Sequence, residues 1–141
     1  SSASNELCFC MKVVNSDIRV AGPTTTRNEN RTTKSRMDSD WVATETAHPI
    51  VRTHPETGRK SLYCDRSYSI RFEGMTEEES APLLDYLMDW GTRPEFTCRF
   101  RWRNGSVAFW DNRCTKHIAV DDSHRTRRIM RRIQIAGDRP F

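Results

Sequence analysis

Residues 95–112 read EFTCRFRWRNGSVAFWDN. Phe96, Cys98, Phe100 and Trp102 alternate with Thr97, Arg99, Arg101 and Arg103, a period of two that places the apolar set on one face of an extended strand. Asn104-Gly105 then supplies a tight turn, because the favoured two-residue hairpin turns need the positive φ that Asn and Gly tolerate. Val107 and Phe109 resume the apolar face. The stretch therefore predicts an antiparallel hairpin.

Working outward, HPIVRTHPETGRKSLYCD, from His48 to Asp65, reads as two further strands, Ile50 to Thr53 and Ser61 to Cys64, joined by a turn at Pro55, Glu56, Thr57 and Gly58. Thr76 with Glu79 three residues on forms a capping box, and Leu83, Leu84, Leu87 and Met88 give a helical stripe that ends at Gly91. Pro82 falls inside that helix and should bend or weaken its start. A last strand is expected from about Arg128 to Ile135, with Ile129, Ile133 and Ile135 on one face and Arg128, Met130, Arg132 and Gln134 on the other. Residues 1–47 are rich in Ser, Thr, Asn and Arg and predict a linker-like or poorly ordered segment, with a short strand at Met11 to Val14. Residues 48–141 form the domain proper. Strands joined by short turns and a single surface helix favour a mainly β fold, a Greek-key or jelly-roll barrel, over a βαβ arrangement.

Only 35% of the residues are apolar and mean hydropathy is -0.79, so any core is drawn from a minority of the chain. A net charge of +4 suits an anionic partner without choosing among nucleic acid, an anionic surface and a small substrate. RTRRIMRR, Arg125 to Arg132, has five arginines, but no aromatic residue is interleaved with them, which argues against nucleic acid. No apolar run approaches the ~18 residues of a membrane span. Five cysteines without a C-x-x-C pair point to neither a disulfide framework nor a zinc knuckle, and fit a reducing cytoplasm.

His117 follows the apolar run in WDNRCTKHIAVDD, Trp110 to Asp122. Read alone, a histidine at a strand end is either a metal ligand or an ordinary surface residue. Arg128 and Arg132 lie four apart, so on a strand both forks project from one face, roughly 13 Å apart at ~3.3 Å per residue. Two guanidiniums there can each grip an oxyanion bidentately, or the face is simply solvated.

HPIVRTHPETGRKSLY, RPEFTCRFRW, WDNRCTKHIAVDD, RRIMRR and GDRPF, in this order, resemble the C-terminal half of the taurine dioxygenase family, which are iron(II)- and 2-oxoglutarate-dependent oxygenases. The resemblance covers about His48 to Phe141. It implies a double-stranded β-helix, a jelly roll whose mouth holds iron. By the same resemblance His117 is the distal iron-binding histidine, Arg128 grips the far carboxylate of 2-oxoglutarate, and Arg132 holds a sulfonate or comparable anionic head of the substrate. Trp110 and Tyr68 fall where the family lines the substrate pocket with aromatics. The implied reaction consumes dioxygen and oxidises the carbon next to a sulfonate or sulfate group, with 2-oxoglutarate as cosubstrate.

The family takes its first histidine and carboxylate from an upstream H-x-D motif, and this sequence contains none. His54-Pro55-Glu56 is the one formal substitute, although Pro55 and Gly58 read as turn residues. The chain is then either part of a longer enzyme or a product that kept the scaffold and lost the metal, binding an anion or a partner without catalysis. An open half-barrel with unpaired edges is also expected to need further strands or to associate with copies of itself as a homo-oligomer.

Overall fold

A computed structural model describes residues 10–22, 42–120 and 129–137. β1 (Lys12–Ser16), β2 (Glu45–Pro49) and β5 (Ser69–Phe72) form an antiparallel sheet in the order β2-β1-β5, and β3 (Val51–Thr53) pairs with β4 (Lys60–Leu62) in a separate two-stranded sheet. A four-residue helix, α1 (Ile18–Ala21), follows β1, and the main helix, α2 (Glu77–Gly91), follows β5.

β1 is central because it can be buried on both faces: Val13 and Val14 point to opposite sides and both are shielded from solvent. The strand expected at Met11–Val14 is therefore present, and the boundary expected at 47/48 falls inside β2, where Ala47 and His48 pair with Val14 and Val13. Polar sequence around β1 hid how firmly its two valines are held. Between Val14 and Asn15 the register against β5 shifts, and the Ser69 hydroxyl fills the irregularity by donating to Asn15 Oδ1 (2.8 Å) while accepting from the Asp65 amide (2.9 Å).

One core lies over this sheet. Val13, Ile50, Cys64, Phe72, Leu84 and Met88 are buried together, with Met11, Val51, Leu62, Met75 and Leu87 packed around them. Ser80, Leu84 and Met88 recur every four residues and set the buried face of α2, whereas Leu83, expected in the stripe, remains largely exposed. The capping box is formed as expected: Thr76 Oγ1 accepts from the Glu79 amide (3.2 Å) and Glu79 Oε2 accepts from the Thr76 amide (2.8 Å). Ser80 joins helix to sheet, its hydroxyl accepting from the Phe72 amide (2.9 Å) and donating to the Thr76 carbonyl (2.7 Å). The helix runs on through Pro82 to Gly91.

The β3–β4 hairpin keeps the expected turn, with Gly58 at φ +69 where an L side chain would be strained. A main-chain bond from Ile50 to the Met11 carbonyl (3.0 Å) fastens it beside the larger sheet, and one from Tyr63 to the Ile50 carbonyl (2.7 Å) continues its own pairing. Arg52 shares its strand face with Ile50 and is only 4% exposed. Its guanidinium lies 5.5 Å from the Tyr63 ring centroid, and its Nε and Nη2 have no hydrogen-bond partner.

The second half departs from expectation. Residues 97–120 and 129–137 contain no strand among the described residues, and Phe96 ends a 3-10 turn, Pro94–Phe96, instead of opening a strand. The Asn104-Gly105 turn is present, with Gly105 at φ +80 and the Ser106 amide donating to the Arg103 carbonyl (2.9 Å), but its arms do not form a ladder. Phe109 is 87% exposed and Ile133 94%. A strand is completed by the edge of a neighbour and by a cover for its apolar face, and the described residues place neither against these segments. Arg128 lies outside the described residues, and of the expected last strand the described residues 129–137 form an exposed run without regular secondary structure.

Candidate active site

The loop from Trp110 to His117 is built on Asp111. Its carbonyl accepts from the Thr115 amide (3.0 Å) and, more weakly, from that of Cys114 (3.4 Å), so the chain turns back at once. Its carboxylate accepts from the Arg113 amide (2.8 Å), the local side-chain bond that makes aspartate a turn former. Trp110 Nε1 donates to Asn112 Oδ1 (2.9 Å). The returning segment brings the His117 ring to within 4.9 Å of the Trp110 ring, centroid to centroid. His117 is exposed, and no hydrogen bond engages its ring nitrogens among the described residues.

Four polar side chains brace this loop against the turn of the β3–β4 hairpin. Arg113 lies along the Asp111 carboxylate, donating from Nε (3.0 Å) and Nη2 (2.6 Å), and its Nη2 also donates to Glu56 Oε1 (3.0 Å). His54 completes the group, with Nε2 3.0 Å from Asp111 Oδ2. Its Nδ1 accepts from the amides of Glu56 (3.3 Å) and Thr57 (3.2 Å), so the ring proton belongs on Nε2, which donates to Asp111. Arg113 first and His54 second hold the Asp111 carboxyl well below the usual carboxylate range, while Asp111 and then Glu56 raise Arg113.

These bonds decide a question about metal. His54, Asp111 and Cys114 offer donor atoms within 4.8 Å of one another. Yet both nitrogens of His54 are committed and the Asp111 carboxylate is covered by Arg113, which leaves the exposed Cys114 sulfur as the one uncommitted donor of the trio in this arrangement. His54-Pro55-Glu56 is not arranged as a substitute ligand pair either, because both ring nitrogens of His54 are hydrogen-bonded and Glu56 Oε1 accepts from Arg113. His117 can offer a metal one imidazole donor, and among the described residues it belongs to no cluster of three potential ligands.

Of the residues singled out from sequence, the structure joins Trp110 to His117. Tyr68 precedes β5, 45% exposed, with its carbonyl accepting from the Ser16 amide (2.8 Å). Arg132 is exposed in the run 129–137 and makes no hydrogen bond or ion pair among the described residues, and Arg128 falls outside them. The brace itself was not anticipated from sequence. A signal existed in the complementary charges of two polar turns, HPETG and WDNR, but nothing local says that they meet.

The sequence model of the taurine catabolism dioxygenase TauD, TfdA family matches residues 16–134. The chain belongs to that family. It is 43% identical over 105 residues to an alkylsulfatase of Acinetobacter baylyi, covering 73% of this chain and 33% of that protein. An alpha-ketoglutarate-dependent sulfate ester dioxygenase of Pseudomonas putida is 44% identical over 96 residues, which are 68% of this chain and 32% of that one. The crystal structure of a taurine dioxygenase from Burkholderia xenovorans superposes with a TM-score of 0.57 at 37% identity, over 81% of this chain and 33% of its own length. This TauD, TfdA family chain thus spans about a third of the length of the relatives it matches. Its sheets are a partial jelly roll, the mainly β architecture expected, and the family is one of alpha-ketoglutarate-dependent dioxygenases. No helix among the described residues is long and apolar enough to cross a membrane.

Proposed function

We propose that this chain supplies part of the active site of an iron(II)- and 2-oxoglutarate-dependent dioxygenase that oxidises the carbon next to a sulfate or sulfonate group. The observation that carries the proposal is the pairing of His117 with Trp110 across a closed loop inside the matched region, with the imidazole exposed and neither nitrogen hydrogen-bonded among the described residues. In this reading His117 is one ligand of the iron, which when bound supplies the means to activate dioxygen. Trp110 limits how that imidazole can turn and shields one side of it. Arg128 grips the far carboxylate of 2-oxoglutarate, and Arg132 the anionic head of the substrate, each by a bidentate charged fork that lysine would not reproduce. Tyr68 completes the aromatic lining. The relatives named for alkyl sulfates and sulfate esters support a sulfate ester as the substrate class. Free cysteines at 10, 64, 98 and 114 fit a cytoplasmic location.

The test is a pair of titrations read by calorimetry, with 2-oxoglutarate and with an alkyl sulfate. Arg128→Leu should weaken 2-oxoglutarate, and Arg132→Leu the sulfate, each by ~1.5–3 kcal/mol, the usual worth of a charged hydrogen bond. Equal losses of both ligands in both variants would remove the two assignments.

A further inference from the structure

We propose that His54, acting through Asp111, is a positioning residue that sets the ring of His117 against Trp110. This rests on the reading of His117 as a metal ligand for its purpose, though not for its geometry. The brace is a chain of fixed contacts from the core outward. β3 is tied to the larger sheet through Ile50, and the hairpin turn is closed by the His54 amide on the Arg59 carbonyl (2.8 Å) and the Gly58 amide on the His54 carbonyl (2.9 Å). Inside that turn the two amides on Nδ1 fix both the tautomer and the direction of the imidazole, so that Nε2 points at Asp111. The His54 side chain is 11% exposed and Asp111 32%, so the bond is partly withdrawn from water and is screened less than a surface pair.

Asp111 is the residue on which the loop turns, through its carbonyl and its carboxylate together. Holding its carboxylate from outside therefore fixes the start of the loop at Trp110 relative to its end at His117. The arms on either side lack ladder bonds that would do the same. Arg113 adds a second tie, reaching from Asp111 to Glu56 on the same hairpin turn. A ligand imidazole left to rotate would lose affinity for its metal, as happens when outer-shell partners of metal ligands are removed.

The test uses the nuclear resonance of the His117 ring in the 141-residue chain without metal, assigned by its loss in His117→Ala. A ring about 5 Å from an indole is displaced upfield by the aromatic ring current, and Trp110→Leu should abolish the displacement. Asp111→Asn and His54→Ala should each remove more than half of it, and His54→Gln, whose amide can still donate to Asp111, should restore part. Unchanged amide resonances of Val13 and Phe72 would show that the sheet is intact. Retention of the full displacement in Asp111→Asn and His54→Ala with an intact sheet overturns the proposal. Should either variant lose the sheet, Arg113→Lys and Glu56→Gln decide by the same criterion, with smaller expected losses. Adding Mn(II) separates the two readings: it should broaden His117 in the wild type, and His54→Ala should need about tenfold more metal for equal broadening. A wild-type His117 untouched by Mn(II) sinks the ligand role while leaving the ring-current comparison to decide the positioning.

Discussion

Among the described residues, 11–22 with 42–91 and 96–120 with 129–137 both carry alternating apolar and charged side chains, and they end in opposite states. In the first region the pattern is satisfied: β1 has a neighbour on each side, α2 covers the sheet, and Phe72 is 1% exposed. In the second, Phe96, Phe100, Val107 and Phe109 are all mostly exposed. Their aromatic contacts are local, such as Phe100 edge-on to Trp102 at 4.9 Å. A period-two pattern is thus a requirement for partners, and it becomes a strand only where another strand and a cover are available. Three of the five proposed site residues, Trp110, His117 and Arg132, lie on the exposed side of this divide. What steadies the loop that holds the first two of them is a polar brace to the ordered half.

The contrast can be broken most directly by truncating matching aromatics. Phe72→Ala should cost ~3–5 kcal/mol, the usual loss for a buried phenylalanine, in urea unfolding followed by circular dichroism. Phe109→Ala should change stability by no more than ~0.5 kcal/mol. Comparable losses at both sites would mean that the second half is packed in solution. A smaller effect sharpens the account of the ordered half. Ser80→Ala leaves the buried Phe72 amide without its acceptor and should cost ~1–3 kcal/mol in the same experiment. Near-neutrality there would remove the joint between α2 and β5.

The smallest effect is read in pH and concerns the brace. Asp111 titrates below its ordinary value near 3.8, because Arg113 and His54 favour its charged form. A carboxylate with a depressed folded pKa stabilises the fold above its unfolded pKa, and that contribution is lost as pH falls through the folded value. The Asp111 contribution to the stability difference between wild type and Asp111→Asn should therefore hold above about pH 5 and shrink progressively as the pH falls below it. A difference that grows on acidification would reverse the sign and discard the brace as a source of stability.

Much of the ordered half was legible from local chemistry. Thr76 and Glu79 cap α2 because the reciprocal bonds need only residues three apart, and the HPETG turn forms because Gly58 meets its φ requirement. The depth of Val13 and Val14 was less legible, since their burial comes from strands more than 30 positions away. Leu83 was misplaced for a related reason: a stripe of four leucine and methionine residues does not say which edge the sheet covers. In the candidate site, the WDNR turn and its histidine could be seen in sequence. The bond between His54 and Asp111 could not, because it joins residues 57 apart.

By itself the sequence determined where the chain turns, where its helix starts and stops, and which residues carry charge or a metal-binding lone pair, because these follow from φ preferences and hydrogen bonds within a few positions. Tertiary structure alone decided which apolar faces are buried, that His54 is hydrogen-bonded to Asp111, and that the rings of Trp110 and His117 meet. Those outcomes depend on surfaces and carboxylates brought together across the chain, and the local pattern of residues does not encode which of them meet.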